Sequence, residues 1–347
     1  MTSKRVIIDT DPGVDDAHAI IFALLCDAFR VEAITTVHGN VDIETATRNA
    51  LYLVETLGRS DIPVYRGAAR ALVGGDPVFS SVLHGEDGLG NTGLARPTIR
   101  RQQAPAVTAL IDRVLAAPGE ISLLVLGPHT NVALAVRAEP DFASAVKEIV
   151  FMGGRITPRT DTNPFVTFNI GEDAEAAHIV LQETEIPVTM LGQEVAMQVN
   201  FDPARLQRFA DLNTWPGRLA AQISRYYISQ QMAIMNMGAG SIPDLAVIAY
   251  ALRPELFVDK SLWVDVDTSG GYMHGATISG VPSYRYSNLN HVLKGRPEHN
   301  KLELTSNSAR PSNAYEQFGR AINVPQEVDH LAIADWYEQL LSAGVPE

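Results

Sequence analysis

Val6-Ile7-Ile8-Asp9-Thr10-Asp11-Pro12-Gly13-Val14-Asp15-Asp16-Ala17, residues 6–17, joins a short β-branched run to an acidic turn and then to an apolar stretch. The β-branched residues favour a strand, Pro12 and Gly13 supply the turn, and residues 14–25 place apolar side chains at helical spacing. Working outward, residues 32–37 read as a strand and residues 43–57 as a helix with Gly58 as its C-cap. Residues 121–126, 149–152 and 188–191 are short apolar runs, each followed by a glycine. Strands alternating with helices give an α/β protein with a mostly parallel central sheet flanked by helices, a Rossmann-type open sheet. In such sheets ligands collect beyond the carboxyl ends of the strands. The chemistry is therefore sought in the loops that follow each run.

The chain has 347 residues, of which 46% are hydrophobic, enough to close a large core, and it shows no repeat or linker. One domain over 1–347 is expected, less regular from about residue 270. A strand at 261–267, a loop-rich stretch at 270–312 holding Tyr284, Arg285 and Tyr286, and a closing helix at 325–342 follow in turn. A net charge of −13 with no Lys/Arg run excludes nucleic acid as a partner. The single Cys26 can form neither an intrachain disulfide nor a cysteine metal cage, which suits a reducing compartment. The first apolar run ends at Asp9 and the longest spans only residues 19–26, too short for a signal core or a bilayer span. The expectation is a cytoplasmic protein with no membrane partner.

Four carboxylates lie between Asp9 and Asp16. Asp15 and Asp16 suit the first turn of a helix, where the dipole favours anions. Four like charges so close together are better explained by a hard cation, and oxygen-only donors point to Ca²⁺ or Mg²⁺. An EF-hand is excluded, because its fifth and twelfth loop positions are here Gly13 and Ile20. The Gly88–Gly93 match to a dinucleotide fingerprint follows polar residues and no strand, so it is set aside. An Asp-dependent phosphohydrolase with Asp9 or Asp11 as nucleophile is a further reading. It is disfavoured by Pro12-Gly13, by the paired Asp15-Asp16 and by the lack of a cationic phosphate clamp.

Four more segments sit where strands end or helices begin: Val37-His38-Gly39-Asn40, Leu126-Gly127-Pro128-His129-Thr130-Asn131, Phe151-Met152-Gly153-Gly154 and Ile242-Pro243-Asp244-Leu245-Ala246. With residues 9–16 they resemble the nucleoside hydrolase family of calcium-dependent ribohydrolases, over roughly the first 250 residues. The resemblance implies a Ca²⁺ held by Asp11, Asp16, the backbone carbonyl of Thr130 and Asp244, with Asp11 taking the proton of the attacking water. It further implies that Asp15 and Asn40 bind ribose hydroxyls and that Asn169 and Met152 line the sugar. From the residues alone, Asp244 also suits a helix N-cap, Asn169 a turn and Met152 the core.

Departures from the family carry information of their own. Thr167 stands where the family has glutamate and Asp161 where it has asparagine, both toward the 5′ side of the ribose. A threonine offers only neutral hydrogen bonds, so a substrate altered at the 5′ position or a shifted sugar pose is expected. Pro243 replaces a histidine often proposed to assist departure of the base, which makes His84 the best remaining leaving-group acid and His38 a weaker one. Tyr226, Tyr227 and Trp215 lie on or before a helix matching a flank of the family's site. The tyrosines cannot share one helix face, so one reaches the base while the other packs inward.

The resulting expectation is hydrolysis of the N-glycosidic bond of a ribonucleoside to base and ribose, by a small-molecule enzyme that is a homo-oligomer, dimer or tetramer, as its family commonly is. The alternative is a degenerate relative that binds a nucleoside or sugar without turnover. Purine or pyrimidine preference stays open.

Overall fold

Strand β1 (Lys4–Thr10) lies third from one edge of the central sheet in the computed structural model, which describes residues 3–158, 165–235, 238–280 and 320–345. The other strands are β2 (Phe29–Thr36), β3 (Val64–Arg66), β4 (Ser122–Val125), β5 (Glu148–Met152), β6 (Val188–Leu191), β7 (Asn200–Phe201), β8 (Gly240–Ser241), β9 (Phe257–Val258), β10 (Ser261–Val266), β11 (Thr277–Gly280), β12 (Arg320–Asn323) and β13 (Glu327–Val328). Nine of them form one sheet in the order β11-β10-β12-β6-β5-β4-β1-β2-β3. From β3 to β12 every neighbouring pair is parallel, and β10 and β11 add an antiparallel edge.

The chain winds one way from β1 through β2 to β3 and then returns to β4 on the other side of β1 before continuing to β5 and β6. The order therefore reverses beside β1, and the crevice that such a reversal opens lies beyond the carboxyl ends of β1 and β4. Asp9 and Thr10 end β1, so the acidic turn enters that crevice.

Alternation along the strands builds a core on each face of the sheet. Val6 and Ile8 pack with Ile20, Phe22, Leu53, Leu219, Ile248 and Tyr337 on one face. Ile7 packs with Leu110, Val132, Phe142 and Val180 on the other. Each Leu or Ile buried in this way contributes about 1.5–3 kcal/mol. No helix among the described residues is long and apolar enough to cross a membrane.

The sequence-derived elements recur with shifted ends. The helix after β2 spans Ile43–Thr56, and Gly58 follows it at φ +69°, the left-handed conformation that glycine tolerates. The expected closing helix over 325–342 begins only at His330. Glu327 and Val328 instead pair with β9, and Asp329 caps the helix by accepting from the Ala332 N–H at 3.0 Å. Strand β11 lies inside the stretch read as loop, while Tyr284, Arg285 and Tyr286 fall outside the described residues. Strand β3 and the helices Ala106–Leu115 and Ala174–Gln182 were not read from the sequence.

Candidate active site

The turn after β1 sorts its carboxylates into different environments. Asp9 points into the sheet, where its Oδ1 accepts from Thr35 Oγ1 at 2.5 Å and from Asn131 Nδ2 at 2.8 Å. It is fully buried, and burial pushes its carboxyl up to about 7. Asn131 also donates to the Thr36 carbonyl at 3.0 Å and accepts from the Ala68 N–H at 2.9 Å. Asp9 and Asn131 thus stitch the ends of β1 and β2 to the helix Thr130–Ala138, an arrangement that leaves Asp9 unsuited to act as a nucleophile.

Asp16, in the first turn of the helix Val14–Leu25, gathers the turn around itself. Its Oδ1 accepts from Thr10 Oγ1 at 2.5 Å and from the Asp11 N–H at 3.3 Å, and its Oδ2 accepts from the Gly13 N–H at 3.1 Å and Asn40 Nδ2 at 3.0 Å. Asn40 also donates its N–H to Asp11 Oδ2 at 2.7 Å, so one residue after β2 orients two carboxylates. Two glycines make room for Asp11. A Cβ on Gly39 would lie 1.9 Å from its Oδ2, and one on Gly127 would lie 2.4 Å from its Oδ1.

Asp244, at the head of the helix Leu245–Leu252, completes the acidic group. Oxygens of Asp15, Asp16 and Asp244 lie within 4.8 Å of one another, all three residues being buried. Burial, and then the charges of Asp15, Asp16 and Asp11, drive Asp244 well above the ordinary carboxylate range. Asp11 is driven the same way by burial and then by Asp16, Asp16 is raised by burial and then Asp15, and burial lifts Asp15 to about 6. Oδ1 of Asp11 and Oδ1 of Asp15 are buried without a hydrogen-bond partner. Crowded buried carboxylates with spare oxygens fit a hard cation, which supplies the missing charge and takes the spare oxygens as ligands. Sequence reading assigned Asp11 to the metal and Asp15 to the sugar. The closest trio contains Asp15, and Asp11 stands beside it with one oxygen free.

A cavity of about 110 Å³ opens on this group. Asp15, Asn40, His84, Met152, Thr167, Asn169, Tyr227 and Asp244 line it, so eight of the site residues expected from the sequence meet at one place. Asn169 gives its amide hydrogens to the carbonyls of Leu126 and Met152, at the ends of β4 and β5, which leaves its Oδ1 as an acceptor. Thr167 Oγ1 accepts from the Gly154 N–H at 2.8 Å, leaving its hydroxyl proton to donate. Asp161 lies outside the described residues.

His84 accepts the Val14 N–H on Nδ1 at 3.0 Å, so a neutral ring carries its proton on Nε2. Burial pushes its pKa down to about 4 against the opposing pull of Asp16. Its ring leans on Tyr227, with centroids 4.9 Å apart. Tyr227 is buried and its hydroxyl bonds to Asp15, whereas Tyr226 is half-buried and donates to the Val82 carbonyl at 3.3 Å. Trp215 bonds to Thr56 Oγ1 at 2.7 Å, away from the cavity. Thr130 begins the helix Thr130–Ala138 beside the acidic turn. Its hydroxyl donates to Asp173 at 2.6 Å and lies 3.3 Å from His38 Nε2.

Ser80, Leu83, Phe168, Gln193, Met197, Gln231 and Pro243 also line the cavity, and of these only Pro243 drew comment from the sequence. Gln193 was findable, because it directly follows the Leu191-Gly192 end of β6 at the carboxyl edge of the sheet. Gln231 was not, since only helix packing brings it to the wall.

Comparison with known proteins places this geometry among relatives. The model of a family described as inosine-uridine preferring nucleoside hydrolase matches residues 6–331. A probable uridine nucleosidase 2 of Oryza sativa subsp. japonica is 36% identical over 270 residues, covering 78% of this chain and 80% of that protein. The pyrimidine-specific ribonucleoside hydrolase RihA of Salmonella typhi is 34% identical over 274 residues, covering 79% and 87%. A solved plant nucleoside hydrolase superposes with a TM-score of 0.82 at 32% identity, over 98% of this chain and 99% of that one.

Proposed function

As a member of the inosine-uridine preferring nucleoside hydrolase family, this chain hydrolyses the N-glycosidic bond of ribonucleosides to free base and ribose, and we propose that it does so in the cavity above Asp15, Asp16 and Asp244. The observation that carries the proposal is that trio, buried and within 4.8 Å, two of whose members, Asp15 and Asp244, line the cavity.

Asp11, Asp16, Asp244 and the Thr130 carbonyl would hold a Ca²⁺, with Asp15 as a neighbouring oxygen donor. Bound there, such a cation would supply positive charge for sugar hydroxyls and would lower the pKa of a water. Asp11 offers its unpartnered Oδ1 to accept the proton of the attacking water. Asp15, Asn40 and the Oδ1 of Asn169 orient the ribose, with Met152 against it. Contacts to sugar hydroxyls of this kind strengthen as the ring flattens toward an oxocarbenium-like state. His84 gives its Nε2–H to the departing base as a neutral hydrogen-bond donor, since its low pKa leaves little imidazolium at neutral pH. Tyr227 flanks the base, and Tyr226 supports the same helix from outside. The chain acts as a single domain on a small nucleoside, as a cytoplasmic homo-oligomer.

The direct test is to incubate the pure protein with Ca²⁺ and a nucleoside panel and to assay free base and reducing sugar. Binding of uridine or inosine without release of either product would favour the degenerate binding relative instead. Because Thr167 contributes only a neutral hydroxyl and Asp161 would have to reach that end from elsewhere, kcat/KM for 5′-deoxyuridine is expected within about tenfold of uridine. A loss of about 10³-fold would show a strong grip on the 5′-hydroxyl. Gly127→Ala is expected to lower turnover by roughly 10²-fold, because displacing a reacting group by about an ångström costs that much. Unchanged turnover would remove Asp11 from the reacting set.

A further inference from the structure

His18 is a fully buried imidazole one turn beyond Asp15 on the helix Val14–Leu25, and the hydrogen bonds around it fix every proton. Ser224 Oγ donates to the Ala220 carbonyl at 2.6 Å, so toward His18 it can only accept, and His18 Nε2 lies 2.7 Å away. Nε2 therefore carries the ring proton. Nδ1 is left as the acceptor for the Tyr337 hydroxyl at 2.8 Å. The chain of bonds runs from Tyr337 to His18 to Ser224 to the Ala220 carbonyl and joins three helices: His330–Ala343, Val14–Leu25 and Trp215–Met235. Phe201 packs edge-on against the ring with centroids 5.8 Å apart, Phe209 packs on Phe201 in turn, and among the described residues the ring has no other polar partner.

The same two helices meet a second time at the cavity, where Tyr227 bonds to Asp15 and its ring leans on His84. Asp15 and His18 are three residues apart on one helix, and Tyr227 and Ser224 are three residues apart, in the opposite sense, on the other. Residues three apart share a helix face about one turn apart. The pairs Asp15–Tyr227 and His18–Ser224 are thus two rungs across one antiparallel helix contact. An apolar contact would let the helices slide or rotate by fractions of a turn, because dispersion is non-directional. A hydrogen bond of fixed donor and acceptor holds one register.

We propose that His18 is a positioning residue: with Ser224 on one side and Tyr337 on the other, it fixes the register of the helix Trp215–Met235 against Val14–Leu25 and so sets Tyr227 on Asp15 at the cavity wall. Asp15 is held both by its place at the substrate and by this contact, so the C-terminal helix, remote from the cavity, contributes to the placement of a substrate-facing carboxylate. The proposal rests on the reading that the cavity binds the ribonucleoside.

The test is a set of steady-state measurements on the full chain with Ca²⁺ and uridine. In the double variant His18→Leu/Tyr337→Phe both partners become apolar, so no buried donor is stranded and the fold is retained. Its kcat/KM is expected to fall about tenfold or more, chiefly through KM. His18→Gln, which keeps a donor toward Ser224, is expected to stay within about threefold of wild type. In a Tyr227→Phe background the double variant is expected to cost nothing further, because the rung it serves is already gone. Wild-type kcat/KM in the double variant, or losses that simply add to that of Tyr227→Phe, would overturn the proposal and reduce His18 to a core residue. Should the double variant not fold, Ser224→Ala breaks the same rung from the other side and is judged by the same two outcomes. Failure of the wild-type chain to release base from any nucleoside would instead strike at the functional reading.

Discussion

Asp11→Asn is expected to lower kcat by about 10³-fold or more, the upper range for loss of a positioned general base. The substitution is nearly isosteric, and its carbonyl can still accept the Asn40 N–H that holds Asp11 at 2.7 Å. What it cannot do is accept a proton from water, because the amide nitrogen takes the place of a carboxylate oxygen. Asp11 is fully buried between Gly39 and Gly127, so no neighbouring carboxylate slides into its place without displacing backbone. Calorimetric titration with Ca²⁺ separates the two duties assigned to it. A variant that still binds the ion but has lost turnover has lost the base, whereas one that has lost both has lost a ligand. A kcat within tenfold of wild type would place the base elsewhere.

Stripping the divalent cation with a chelator is expected to abolish turnover and to lower the melting temperature by an amount that grows with pH. At a free ion concentration 100 times Kd, binding stabilises the folded chain by about 2.7 kcal/mol. The pH dependence follows from the carboxylates. In the metal-free fold Asp15 is raised to about 6, Asp16 is also raised, and Asp11 and Asp244 lie well above the ordinary value, all through burial first. A carboxyl whose folded pKa exceeds its unfolded one binds its proton more readily when folded. Its contribution to stability is present below the unfolded value near 3.8 and is lost as pH rises through the folded value. The cation needs these groups ionised and displaces their protons, so its stabilising effect rises over the same interval. His18, His38, His84 and His129 shift in the opposite direction, lowered by burial, and oppose the carboxylates below about pH 6.5. They are common to both forms, so the difference between the melting temperatures with Ca²⁺ and with chelator isolates the acidic group. That difference should be larger at pH 8 than at pH 6, and a flat difference would detach the cation from these aspartates.

How the residues came together shows where sequence reading has force. Asp11, Asp15 and Asp16 were legible because Pro12 and Gly13 force a turn directly between a β-branched strand and a helix, so covalent neighbours are also spatial ones. Asn40 and Met152 were reachable because each follows or ends a strand, and parallel strands deliver such residues to one edge. Tyr226 and Tyr227 could be separated only in principle. That Tyr227 faces Asp15 while Tyr226 turns to the Val82 carbonyl is set by how the whole helix seats. The closing helix was read too long for a related reason, since pairing of Glu327 and Val328 with β9 is a contact between segments about 70 residues apart.

By itself, the amino-acid order determined the α/β class and the acidic turn, because strand alternation, helix period and turn residues act over a few bonds. Tertiary structure decided the rest. It sent Asp9 into the sheet and left Asp11 Oδ1 free, brought Asp244 within reach of Asp15 and Asp16 from more than 200 residues away, and fixed the His84 proton on Nε2. These outcomes depend on which side chain finds which partner across the crevice beside β1, and that is settled by the packing of the two helical layers against one twisted sheet.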